Sequence, residues 1–207
     1  MYAAACLVLA YVLGSTPFSY FAGRLLQGID LREHGSGNLG ATNVYRILGA
    51  TAAVAVLLLD AAKGAVPVLY FPALAGVDGA DGVWWPVAFG VTAIVGHVRP
   101  YGGLFRGGGK GVATASGVFA ALAPIPFAAS LLTFLGVVAV TRYVSLGSML
   151  GAAALAATVV IREGPLAPMS LVAVAMGTFV VWTHRANIGR LRRGEESRLG
   201  RPGGVTR

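Results

Sequence analysis

Residues 112–141 read VATASGVFAALAPIPFAASLLTFLGVVAVT, a run with no charged side chain. A stretch this long and this apolar belongs in lipid, where a helix satisfies every backbone N–H and C=O within itself. Pro124 and Pro126 interrupt it. Each proline removes a backbone donor and opposes helix continuation, so the stretch predicts a helical hairpin with its break near Ala123–Pro126.

The rest of the chain has the same character. Charged residues make up 12% of the 207 and apolar ones 56%, and the mean hydropathy is +0.74, which places the chain among polytopic membrane proteins. Working outward, the apolar stretches Met1–Ala22, Ile47–Phe71, Val83–Val98, the two arms of the hairpin, Leu146–Ile161 and Leu166–Thr183 make seven expected spans. The expected fold is therefore all-α, a membrane helical bundle forming a single domain over residues 1–207. Residues 194–207 form a basic tail. Met1–Ala22 has no basic residue ahead of it and no cleavage signature, so it reads as a first transmembrane helix. Cys6 is the sole cysteine, which excludes an internal disulfide or a cysteine-rich metal cluster.

Charge placement sets an orientation. The chain holds 16 Lys and Arg residues, and in this layout all but Lys63 and Arg162 fall on the side of the loop that follows the first span. The loop near Asp78 and Asp81 lies opposite. The positive-inside rule then puts the N-terminus outside and the C-terminus in the cytoplasm. A net charge of +8 distributed at span ends points to anionic headgroups and not to nucleic acid. Asp60 and Lys63 fall within a span at i, i+3, where they share a helix face and pair, a structural role that lowers the cost of carrying charge into lipid.

Four polar segments gather on the cytoplasmic side. His34–Gly49 (HGSGNLGATNVYRILG) combines glycines, hydroxyls, amides and Arg46. Glycine lets the backbone approach a ligand, and successive amides form a nest for phosphate or carboxylate; a plain turn between helices is the other reading. Gly107–Gly111 (GGGKG) sets Lys110 on a glycine-rich backbone just before an apolar helix, a combination suited to phosphate. It is no Walker A loop, because Leu104 and Gly111 occupy positions that need glycine and Ser or Thr. RYVSLGS at Arg142–Ser148 adds a cation and hydroxyls, including Ser145. In HRANIGR at His184–Arg190, helical continuation would put His184 and Asn187 on one face.

Taken together, GSGNLGATN with Arg46, GH followed by FRGGGKGVAT, SLGS, and HRANIGRL with G-x-E at Gly194–Glu196 resemble the bacterial acyl-phosphate:glycerol-3-phosphate acyltransferases. The Asp-x-x-Lys-Gly at Asp60–Gly64 belongs to the same resemblance, and the third glycine of Gly107–Gly109 departs from it. The resemblance implies an enzyme of the bacterial inner membrane that moves an acyl group from a fatty acyl phosphate to the 1-hydroxyl of glycerol 3-phosphate, giving lysophosphatidic acid and phosphate. An acyl phosphate is already activated, so neither cofactor nor metal is implied. Carried over by motif, Lys110 with Gly108, Gly109 and Gly111, together with Arg46, would bind substrate phosphates. Ser36, Gly37, Asn38, Thr42 and Asn43 would orient substrate or hold the loop. Ser145, His184 and Asn187 would line the same pocket, and Glu196 would anchor the tail by pairing with an arginine. The hydroxyl proton goes to His184 or to a substrate phosphate. Ser36 as an acylated nucleophile would lack a guaranteed base. Membrane lipids are the other expected partners, and the sequence leaves the oligomeric state open. From a different class, a transporter or channel for a small phosphate-bearing anion also explains cationic loops, though it favours paired repeats and midplane sites, and no repeat is found.

Overall fold

A computed structural model describes residues 2–77, 83–103 and 107–200. Asp78, Asp81, Leu104, Arg106 and the tail beyond Gly200 lie outside the described residues. Ten α-helices and one short 3-10 turn account for the regular structure there. They are α1 (Tyr2–Ser15), α2 (Phe18–Gln27), α3 (Ala41–Leu48), α4 (Ala50–Ala75), α5 (Trp84–Val98), α6 (Val112–Leu122), α7 (Pro124–Thr141), α8 (Val144–Glu163), α9 (Pro168–Thr183) and α10 (Arg185–Arg192). The all-helical expectation holds among the described residues. Four stretches, Tyr2–Gln27, α4, α7 and α8, are long and apolar enough to cross a membrane, and α5, α6 and α9 are shorter apolar helices.

Two expectations need correction. The first apolar stretch is not one helix ending at Ala22: Pro17, which has no N–H to give, breaks it after Ser15, and the helix resumes from Phe18 to Gln27. The polar segment after it is likewise not all loop, since Ala41–Leu48 is helical and carries Thr42, Asn43 and Arg46. The break expected in the long uncharged run is present: Ala123 leaves the helical region with φ −144° and ψ 70°, and α7 opens with proline in its first turn, where a missing N–H costs nothing.

The chain forms two compact units, residues 1–122 and 123–207. In the first, helices meet where small residues remove bulk. A Cβ on Gly64 of α4 would overlap the Thr114 carbonyl of α6, and one on Gly117 of α6 would overlap the Ala61 carbonyl of α4. Gly14 of α1 and Gly96 of α5 stand in the same relation to Ala93 and Tyr11. Such contacts bring helix backbones together where lipid offers no hydrophobic drive. At the other end of this unit Phe89 is fully buried, stacked on Trp85 and edge-on to Phe71. In the second unit, Gly147 and Gly151 of α8 pack on Phe134 and Ser130 of α7. Pro126 is the one buried residue of α7, leaving Leu132, Leu135 and Val140 exposed, the pattern of a lipid-facing helix.

Candidate active site

The first unit carries two glycine-rich loops that meet. In the loop ahead of α3, Gly35 and Gly37 take positive φ of 62° and 69°. A Cβ on Gly35 would strike the Asn43 amide, and one on Gly37 would sit 3.0 Å from the Arg32 carbonyl. Asn43 is buried and organises this loop: its Oδ1 accepts from Ser36 N (2.9 Å), and its Nδ2 donates to Leu31 O (3.1 Å) and His34 O (3.0 Å). Both amide donors are thereby engaged by backbone. Ser36 and Arg46 are exposed, and Thr42 is half-buried in the first turn of α3. Ahead of the loop, buried Asp30 accepts from Arg32 Nε (2.9 and 3.0 Å). The Arg32 guanidinium holds its carboxyl at about 2.

The second loop, Gly107–Gly111, reaches the first through Asn38, whose Nδ2 donates to Gly108 O over 3.5 Å. Gly107 and Gly111 have φ of 91° and 80°. Half-buried Lys110 stands just before α6, close to the positive end of that helix. The tight fit explains the glycine run. A Cβ on Gly108 would overlap the His97 and Val98 carbonyls, and one on Gly109 would overlap His97 Nε2 and lie 2.7 Å from Cε1.

Below this loop sits a buried charged cluster. Lys63 Nζ is 2.7 Å from Asp60 Oδ1, with the two side chains 2% and 3% exposed, so the expected i, i+3 pair forms. Lys63 Nζ also donates to Thr16 O (2.9 Å), at the break that Pro17 opens. His97 Nδ1 lies 3.6 Å from the same Asp60 oxygen. With Ser15, Thr16, Pro17, Phe18, Leu39, Pro100 and Gly107–Gly109, these three side chains line one narrow cleft. His97 is the member that residue patterns missed. The signal was available, since His97 ends an apolar helix and the glycine run follows ten residues later; the pairing of the two emerges only when the chain folds back.

The second unit carries another polar cluster. His184 is buried at the junction of α9 and α10. Its Nδ1 is 2.8 Å from Val180 O. A carbonyl only accepts, so Nδ1 carries the proton and Nε2 is the basic nitrogen of the neutral ring. Asn187 and Ser145, both buried, meet at one atom: Asn187 Nδ2 (2.6 Å) and Ser145 Oγ (2.8 Å) donate to Glu196 Oε1. Arg190 Nε donates to Oε2 (2.7 Å), the arginine pairing expected of Glu196. Burial pushes this carboxyl up, but the bonds from Asn187, Ser145 and Arg190 outweigh it and hold the group below the usual carboxylate range. The chain past α10 is thereby folded in, and Leu199 N donates to Arg142 O (2.7 Å). Exposed Arg185 lies over the Trp182 ring at 4.6 Å.

These features define an integral membrane helical protein whose first unit brings two glycine-rich loops together at Asn38 and Gly108. Residues 4–194 match the family described as glycerol-3-phosphate acyltransferase, and the chain belongs to that family. It is 45% identical over 196 residues to the glycerol-3-phosphate acyltransferase of Synechococcus elongatus, covering 93% of this chain and 92% of that one. It is 46% identical over 194 residues to that of Geobacter sulfurreducens, covering 92% and 94%. Among solved structures it resembles PlsY (YgiH), an integral membrane glycerol 3-phosphate acyltransferase, in its glycerol 3-phosphate form. There the TM-score is 0.83 at 37% identity, over 96% of both chains. The lysophosphatidic acid form gives 0.82 at 36%, over 96% of this chain and 95% of that one.

Proposed function

We propose that this protein acylates the 1-hydroxyl of glycerol 3-phosphate with a fatty acyl phosphate as donor. The observation that carries this reading is the meeting of the two glycine loops at Asn38 and Gly108, beside Lys110, in a chain of the acyltransferase family. In the reaction the hydroxyl oxygen attacks the acyl carbonyl carbon, the carbon–oxygen bond to phosphate breaks, and inorganic phosphate leaves with the bonding pair. The hydroxyl proton passes to a base. Lys110 and Arg46 neutralise phosphate charge, and the Gly108, Gly109 and Gly111 backbone lets the oxygens approach closely. Gly37 and Asn43 hold the first loop in shape around Ser36, Asn38 and Thr42. His184, with Nε2 as its basic nitrogen, is one candidate base and a substrate phosphate the other. Ser145 and Asn187 act with Glu196 to fix the chain around His184.

Membership of an acyltransferase family favours transfer over transport of a phosphate-bearing anion. We further propose seven spans, an external N-terminus and a cytoplasmic active site in the bacterial inner membrane, with both units working as one enzyme. The four long apolar stretches and three shorter apolar helices support that count.

The test supplies purified protein with acyl phosphate and glycerol 3-phosphate, follows phosphate release, and identifies the acylated position of the product. Acyl transfer from acyl phosphate but not from acyl-CoA is expected; no product would end the proposal. His184→Asn separates the bases. If His184 accepts the proton, the acidic limb of the kcat/KM pH profile disappears in the variant, and if substrate phosphate does, the limb remains. For orientation, cysteines placed by Arg142→Cys and Arg162→Cys, both at exposed positions, are tested in intact cells with an impermeant thiol reagent. Labelling at 162 alone is expected, and labelling at 142 alone would invert the topology.

A further inference from the structure

We propose that His97, aligned by Asp60 and Lys63, is a positioning residue that sets the height of the phosphate loop and so aims Lys110. This rests on the functional reading above. Asp60 and Lys63 are almost wholly buried, and carrying two charges out of water is costly unless they neutralise each other closely. A pair serving helix packing alone would need no third member and no tie to a loop. Here the contacts run in one direction. Thr16 O fixes Lys63 Nζ at 2.9 Å, Lys63 fixes Asp60 at 2.7 Å, and Asp60 faces His97 Nδ1 at 3.6 Å. The opposite edge of the ring then meets the loop: a Cβ on Gly109 would overlap Nε2. Gly108 rests on the carbonyls of His97 and Val98, where any side chain would collide with backbone. The ring and the end of α5 thus form the floor on which Gly108 and Gly109 lie. Lys110 is the next residue, so a tilt of the ring is passed directly to its ammonium.

The reciprocal fit supplies a test that a structural role would not satisfy. Gly109→Ala puts a methyl where the ring stands and lifts the loop; His97→Ala removes the obstacle. Steady-state kinetics on the full-length protein, with thermal midpoints alongside, should show Gly109→Ala raising a phosphate-substrate KM about tenfold, as expected for tightly coupled neighbours. The loss in kcat should be smaller and the midpoint close to that of wild type. The double variant His97→Ala/Gly109→Ala should have a KM no higher than His97→Ala alone, because the overlap is gone. His97→Gln, which retains a polar side chain over Asp60, provides a second route and should give an intermediate KM. A wild-type KM in Gly109→Ala, or single-variant effects that multiply in the double variant, would overturn the proposal while leaving the enzyme reading intact. Calorimetric titration with glycerol 3-phosphate distinguishes the remaining case: a wild-type protein that neither binds it nor transfers acyl groups removes the functional reading and this proposal together.

Discussion

The polar clusters of the two units are built on different physical principles. In the first, Asp60, Lys63 and His97 are buried among helices, and the loop above them is fixed by steric contact with glycine. In the second, Ser145, Asn187 and Arg190 converge on one carboxylate through directed hydrogen bonds. A steric seat fails when an atom is added; a hydrogen-bonded hub fails when an acceptor is removed. Glycine sets the close helix contacts in both units, at Gly64 and Gly117 in the first and at Gly147 and Gly151 in the second. Only in the first does it also seat a polar loop; in the second that task falls to Glu196.

The largest expected effect falls on the loop itself. Lys110→Ala removes the cation from its seat and should lower kcat/KM by on the order of 10² or more, the usual scale for losing a preorganised charge-stabilising group. Phosphate-release kinetics check this, and wild-type activity would break the assignment of chemistry to the first unit. Next come substitutions that set the two construction principles against each other. Gly117→Ala drives a methyl into the Ala61 carbonyl and should destabilise by about 2–3 kcal/mol, the upper range for overpacking. Glu196→Gln keeps the shape of the hub but removes its charge and one acceptor, and should cost about 1–2 kcal/mol. Thermal unfolding in detergent ranks the two, and a reversed order would mean that directed bonds dominate throughout.

Acid should act on the second unit through Glu196. Its carboxyl titrates below the usual range in the folded chain, so the hub contributes stability above the ordinary carboxylate value of about 4.3. That contribution is lost as pH falls from there through the lowered folded value. Asp30 behaves alike in the first unit, losing its share between an ordinary value of about 4 and about 2. The thermal midpoint measured down this range should therefore decline, and Glu196→Gln should decline less steeply. Equal slopes would show that the hub is not what acid dissolves. The smallest effect is expected from Arg185→Ala, which removes an exposed stack on Trp182 worth about 0.5–1 kcal/mol.

Much of the architecture was legible because a membrane restricts what a sequence can do. Backbone groups in lipid must bond within their own helix, so apolar length and proline position alone located most helices. Ala123 broke where two prolines demanded it. Pro17 breaks the first helix as well, although a single proline inside an otherwise continuous apolar run leaves composition and length unchanged. The short helix Ala41–Leu48 was hidden because its polar residues serve the loop ahead of it and not a long apolar face.

The candidate site divides the same way. By itself the sequence determined the helical membrane class, the Asp60–Lys63 pair at i, i+3, the arginine partner of Glu196 and the polar segments that carry Lys110, Arg46 and His184, because these depend on local spacing and composition. Only tertiary structure decided that Asn43 closes the first loop on itself, that Asn187 and Ser145 share one Glu196 oxygen, and that His97 lies beneath Gly109. Those contacts join residues distant in the chain or set by the exact packing of helix ends. No periodicity records which side chain a glycine was left bare to receive.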